Sequence, residues 1–482
     1  MVQIVALYIL SLIFIGMFPF KLPGGPIVAF KNIFGGGLDF WGITLYGFQS
    51  LELKLAASFF LLLLLVPKVN SLIIRIISRI YSLAVRFRIS KNKIVTFLAI
   101  YVILPAAFLA AFYYAPNKSL GATGVFEDML GRNLLFVGSN PLSTYVNYVL
   151  FSAAKQTTSG FFYDLASKPH LFIRAVSNLS GFFYILFLAH MSNNLFLETR
   201  KKIIFFAFLA FQGYLFLFFY DHDTHPHQVA FLILFLYYAI RYIRGQSNII
   251  FCAFFLSISA LMHMMSFVFL PSLFLLPTLR RELQASAGDC KEQQPFLFRA
   301  LDTIFTWDTL IMTLTLILPV LILWQFLVMP NQDKFYGGAY GDLLGGGDGR
   351  MFLPLFNVET AYEAYTMLSW DNAAEKVNML LFLCPMTLIL APLFSIKYWR
   401  EIIGDPVSRF LLINFVFGAL FIFMWCADYG VRLDWNLFSP AALLMSALVA
   451  YILAEKIKEE YYPYISLVAI FYSIMHLLTL LS

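Results

Sequence analysis

The stretch Arg200-Lys201-Lys202-Ile-Ile-Phe-Phe-Ala-Phe-Leu-Ala-Phe-Gln-Gly-Tyr-Leu-Phe-Leu-Phe-Phe-Tyr220-Asp221-His222-Asp223-Thr224-His225-Pro226-His227 decides the fold. Three cations lead into a long apolar run, and the run ends on acids and imidazoles before another apolar run begins. Such a segment is long enough to cross hydrocarbon, where each backbone amide must be bonded within its own helix and about 20 apolar residues are needed. Composition extends this reading to the whole chain. Of 482 residues, 61% are hydrophobic, 18% aromatic and 12% charged. A soluble domain carries roughly 25% charged residues, and disorder needs low hydrophobicity. Both are excluded, and the chain reads as a polytopic membrane protein.

Counting apolar runs outward from 203–220 predicts thirteen spans, near 3–19, 52–66, 94–114, 172–190, 203–220, 227–241, 249–263, 265–278, 308–328, 377–395, 410–426, 435–455 and 463–481. Tilted or partly re-entrant helices are expected around 227–278. The fold class is therefore all-α: one transmembrane bundle over 1–482, with long external loops at 20–51, 115–171 and 329–376. Met1 to Met17 lacks a basic n-region and reads as a retained first span. Within 115–171, Pro141 to Phe151 reads as a helix lying along the interface.

Basic residues orient the bundle. Twenty-one of the 33 lysines and arginines fall in alternate segments, among them Lys68 to Lys93, Arg200 to Lys202, Arg241, Arg244, Arg280, Arg281, Lys397 to Arg409 and Lys456. Cytoplasmic loops carry that excess, so the N-terminus is expected inside and the C-terminus outside, in an inner (plasma) membrane. Lys376 and Arg432 count among the external charges. The net charge of +6 gives no reason to expect nucleic acid, and four scattered cysteines suggest neither a disulfide framework nor a zinc knuckle. Span interiors are almost free of ionisable groups. His476 is the main exception, read as a histidine bonded to a neighbouring helix.

Four external constellations can carry chemistry. Glu127 and Asp128, with Arg132 nearby, place carboxylates at a span end, where a low-dielectric surround suits a general base. Asp39, in Gly35-Gly-Gly-Leu-Asp39-Phe-Trp41, is the rival base. Asp221, His222, Asp223, His225 and His227 put five metal-capable side chains into one short turn, with His263 able to join. Carboxylates and imidazoles suit a divalent cation, Mn, Mg or Zn, although the spacing matches no fixed template and also suits a polar helix cap. In Asp428 to Pro440, Arg432 can clamp a phosphate and Trp435 can stack on a sugar or sit in an aromatic belt, with Asp434 beside them.

This layout resembles the GT-C superfamily of integral-membrane glycosyltransferases, in a bacterial-type form. Asp39 or Glu127-Asp128 would match its early external acidic motif, and Asp221-His222-Asp223 is similar to the DxD of its oligosaccharyltransferase branch. The resemblance implies transfer of a sugar from a polyprenyl-phosphate carrier to an acceptor hydroxyl at the extracytoplasmic face, serving the cell envelope. It implies membrane lipid as a partner, and Arg132, His263, Trp370-Asp371, Arg432, Asp434, Trp435 and Asn436 as lining of the substrate cavity. The rival classes are a transporter or lipid flippase and a non-catalytic subunit of a membrane complex. A transporter predicts broken helices and midplane charges, neither of which is legible in the sequence.

Overall fold

The computed structural model describes residues 51–64, most of 66–79, 129–134 apart from 133, 140–157, 159–220, 225–287, 306–334, 352–357, 365–427, 431, 434–457 and 462–481. The expected spans 3–19 and 94–114 lie outside these residues. The main helices, in chain order, are α1 (Leu51–Leu64), α2 (Pro141–Lys155), α3 (Pro169–Leu195), α4 (Thr199–Ala210), α5 (His225–Ile243), α6 (Ile249–Met262) and α7 (Leu276–Ala287). They continue as α8 (Trp307–Leu323), α9 (Trp370–Leu383), α10 (Pro385–Lys397), α11 (Pro406–Met424), α12 (Trp435–Glu455) and α13 (Tyr462–Leu481). Among the described residues the one extended pairing outside helices is an isolated bridge between Phe352 and Trp425. Cys252, Cys384 and Cys426 are buried free thiols.

Five helices are long and apolar enough to cross a membrane, and seven spans result if each of two bent pairs counts as one. The described residues thus give fewer full-length spans than the sequence suggests. The run 265–278 is not one helix: it divides into a 3-10 turn (Met264–Phe269), a short helix (Leu270–Phe274) and the start of α7. Pro271 and Pro277 remove two amide donors from that run, which favours short pieces.

The central element is α12, 94% buried over its apolar window. Ala441, Ala442, Ser446, Ala447, Ala450 and Ala454 are all buried along it. Small side chains let neighbouring backbones come close in lipid, where no hydrophobic force drives helices together. α4, α5, α9, α10 and α11 all pack on α12. A Cβ on Gly418 of α11 would lie 3.5 Å from that of Ala441. By contrast, α8 is only 22% buried and turns Leu314, Leu318 and Leu321 outward.

Two spans are broken, contrary to the unbroken helices the sequence suggests. α4 bends by 60° into Gly213–Phe219, and α9 meets α10 at 105°. A break frees carbonyls that hydrocarbon cannot solvate. At the first break the Leu209 carbonyl accepts from the hydroxyls of Tyr184 (3.2 Å) and Tyr214 (2.9 Å). At the second, His476 Nε2 donates to the Phe382 carbonyl at 2.7 Å, the neighbouring-helix bond expected of that histidine. The breaks abut. A Cβ at Gly213 would overlap the Phe382 carbonyl oxygen, so only glycine fits there.

Charged side chains gather at one end of the bundle. Lys201 pairs with Glu198 (3.1 Å) and Glu455 (3.0 Å), Lys456 pairs with Asp405 (3.0 Å), and Arg409 pairs with Glu282. Arg244 donates to the Leu195 carbonyl at 2.6 Å. These are the alternate basic segments of the sequence, brought together in space. Asp405 also caps α11 through the Val407 amide (3.1 Å) and the Ser408 hydroxyl (2.9 Å). Burial acts to raise its carboxyl, but Lys456 and these hydrogen bonds outweigh it and hold the group below the ordinary carboxylate range.

Two outcomes follow. Gly213→Val should destabilise the fold by about 1–3 kcal/mol or more, because overpacking against backbone cannot be relieved by a rotamer change; thermal unfolding in detergent measures it. Asp405→Asn keeps a capping side chain and loses only charge, so it should cost about 1 kcal/mol near neutral pH. The carboxylate's contribution is fully present above the ordinary carboxylate value and is lost as pH falls through the lowered folded value. The difference between wild type and variant should therefore shrink in acid, and an equal difference at pH 7 and pH 3 contradicts the ion-pair account.

Candidate functional site

At the other end of the bundle the described buried polar groups include imidazoles and amides, together with Arg174, Lys376 and Asp434. Pro226 opens α5 at its second residue, where its missing amide costs nothing. This start places His225, His227 and Gln228 in the first turn, all buried. Helical spacing separates the two imidazoles. His227 turns toward α2 and α3, and His225 turns toward the end of α6.

His227 is held on both nitrogens. Asn147 Nδ2 lies 3.2 Å from Nε2, and Ser180 Oγ lies 2.5 Å from Nδ1. Asn147 Nδ2 also donates to the Ser143 carbonyl at 3.0 Å. A carbonyl only accepts, so the amide nitrogen faces His227 and Nε2 must accept from it. Nδ1 then carries the proton and donates to Ser180. The ring therefore joins α2, α3 and α5, and has no lone pair left for a metal.

His225 stacks on His263, with ring centroids 4.5 Å apart and planes 32° apart. His263 ends α6, and its Nδ1 accepts from the Met265 amide at 3.2 Å. Gln228 donates to Ser266 Oγ (2.8 Å), while Ser259 donates to the Gln228 carbonyl (3.1 Å). His263 thus lies against His225, in the described part of the 221–227 segment. Asp221, His222 and Asp223 lie outside the described residues, as do the candidate bases Asp39, Glu127 and Asp128. Among the described residues no three His, Cys, Asp or Glu side chains come together as a metal site. The imidazoles of His225 and His263 do not complete a cation site without those acids.

A second buried group sits where α9, α11 and α12 end. Trp435, in the first turn of α12, packs its ring against Phe382 (5.2 Å) and Phe216 (5.7 Å). Asp434 and Asn436 flank it and are buried. Trp435 is therefore a core residue rather than part of an exposed belt. Phe216 ties this group to the first one along the chain, since only residues 217–224 separate it from His225. Arg132 is exposed, and Arg432 lies outside the described residues. Trp370 is 70% exposed and Asp371 is exposed, whereas Asn372 is buried.

Lys376 corrects the sequence reading most. It is not a loop charge but a fully buried side chain on α9. Its Nζ donates to the Trp425 carbonyl at 3.1 Å and lies 4.2 Å from the centre of the Phe438 ring. Trp425 also bridges Phe352, and the Leu353 amide donates to the Met424 carbonyl at 2.9 Å. Lys376 thus fixes the point where the third external loop meets α11. Its one available signal was the run Trp370 to Leu383, which reads as helix only once Ser369 is seen to cap it at Asn372.

Replacing Asn147 or Ser180 by Ala should loosen α2 from α5, at about 1–3 kcal/mol each, because a buried nitrogen of His227 loses its partner. A double-mutant cycle with His227→Ala reads the coupling, and additive losses would show that the three side chains do not act together.

No family model matches the chain, and no curated protein matches it. Among solved structures the chain is similar to the crystal structure of ArnT from Cupriavidus metallidurans bound to undecaprenyl phosphate. The two share 12% identity with a TM-score of 0.45, over 75% of this chain and 61% of that one. The chain therefore spans less than two thirds of that protein, and a likeness at this level assigns neither family nor activity.

Proposed function

We propose that the chain is a membrane glycosyltransferase that moves a sugar from a polyprenyl-phosphate carrier to an acceptor hydroxyl at the extracytoplasmic face. One observation carries the reading: an apolar helical bundle collects buried imidazole, amide and ammonium groups at one end and ion pairs at the other. Intramembrane polar groups are costly and mark sites of function. The basic excess at the ion-paired end supports a cytoplasmic side for that end under the positive-inside rule, and so an extracytoplasmic side for the polar end.

In this reading a carboxylate, from Asp39, Glu127 or Asp128, takes the proton of the acceptor hydroxyl as its oxygen attacks the anomeric carbon. The bond from that carbon to the carrier phosphate breaks, and the phosphate leaves as an anion. The proposal includes a divalent cation at Asp221 and Asp223, without His227, and such an ion would stabilise the leaving group. The apolar flank holds the carrier's tail, so a polar reaction can run at the edge of a hydrophobic scaffold.

A transporter or flippase is the second reading, favoured by the two broken spans, since discontinuous helices frame substrate sites in carriers. Here, though, the freed carbonyls are satisfied by Tyr184, Tyr214 and His476 rather than left to a substrate. The test uses Asp39→Asn, Asp128→Asn, Asp221→Asn and Asp223→Asn with a radiolabelled polyprenyl-phosphate sugar. At least one variant should lose about 100-fold or more in transfer rate, as removal of a general base does. Full activity in all four defeats the site assignment. Substrate uptake into proteoliposomes with no covalent product decides for transport.

A further inference from the structure

The described cations differ in their partners, and Arg174 and Lys376 are the buried ones. Lys201, Lys456 and Arg409 each meet a carboxylate at the ion-paired end. Lys376, at 0% exposure, is more deeply buried than any of them and makes no ion pair. One carbonyl and one aromatic face are its near partners. Among the described acids, Glu375 and Asp434 act on it by charge, and neither forms an ion pair with it. A buried ammonium costs several kcal/mol unless an opposite charge joins it. Neither the Trp425 carbonyl nor the Phe438 ring supplies a full charge.

A second observation points the same way. The indole Nε1 of Trp435 is buried and has no hydrogen-bond partner, although the residue is 1% exposed. Trp435 precedes Phe438 by one turn of α12, so the indole and the ring beneath Lys376 belong to one face of the same helix turn. Both groups are donors, and only the indole is without an acceptor. The first turn of α12, a helix of 21 residues, adds the positive end of its dipole. An aromatic surround of Phe382, Phe216 and Phe438 keeps the local dielectric low, which strengthens charge pairing.

We propose that Lys376 receives a phosphate oxyanion at this end of the bundle, with the Trp435 indole N–H as a second donor. The inference deepens the transferase reading and rests on it only for the source of the phosphate, the lipid carrier. It gives the phosphate-binding duty that the sequence offered Arg432 to a residue that the sequence placed in a loop.

Binding is measured on the full chain in nanodiscs, without donor sugar or acceptor, using a long-chain polyprenyl monophosphate, the uncharged polyprenol of equal length, and inorganic phosphate. Wild type should prefer the lipid phosphate to the alcohol by about tenfold or more, the worth of a charge-assisted hydrogen bond. Lys376→Gln should erase that preference, and Lys376→Arg should keep part of it. Should Lys376→Gln not fold, Trp435→Phe removes only the second donor and should weaken the preference by roughly threefold, a fraction of the same bond. An undiminished preference in Lys376→Gln or Trp435→Phe, or none in wild type, overturns the proposal. Inorganic phosphate that competes on a par with the lipid, and only when Lys376 is present, supports the oxyanion site and overturns the lipid as its source. Lost transfer with intact binding defeats the reaction alone; intact transfer with no Lys376-dependent binding defeats this site alone.

Discussion

The bundle is governed by the absence of water from its interior. Every carbonyl released by a helix break must find a donor on another helix. Leu209 finds two, Tyr184 on α3 and Tyr214 just past the bend, and Phe382 finds His476 on α13. These bonds allow α4 and α9 to turn sharply inside an apolar core. The same constraint explains Gly213, where the second broken helix comes so near that no side chain fits. It also explains the small residues of α12, which let five other helices approach its backbone.

The distribution of polarity follows from the same rule. At one end, long cations reach carboxylates on neighbouring helices, and Lys201 bridges two acids from different parts of the chain. At the other end, imidazoles and amides replace ion pairs. His227 is satisfied on both sides by α2 and α3, while His225 lies against His263. Lys376 breaks this pattern, a buried cation among aromatic rings with no counter-charge.

The sequence showed what hydropathy can show. The runs 172–190, 227–241, 410–426 and 435–455 coincide with α3, α5, α11 and α12, and the stretch read as helical at Pro141 to Phe151 lies in α2. Those signals are local. The helix breaks were hidden, because Phe211-Gln-Gly213 and Cys384-Pro385 sit inside apolar runs and differ little from ordinary span interiors. The role of His227 was hidden too, since its partners lie 80 and 47 residues away along the chain. Composition suggested a metal ligand there, and the structure shows hydrogen bonds at both ring nitrogens. Lys376 was misplaced because a charge near a loop is normally solvated, and only the three-helix junction shows that it is not.

The abutment of Gly213 and Phe382 has a mechanical consequence. Neither bent span can straighten alone, because each elbow is wedged into the other and α13 bolts the pair through one imidazole. Any rearrangement that opens a path for a large lipid substrate must carry both elbows as a single unit, or proceed along the lightly covered α6–α8 flank.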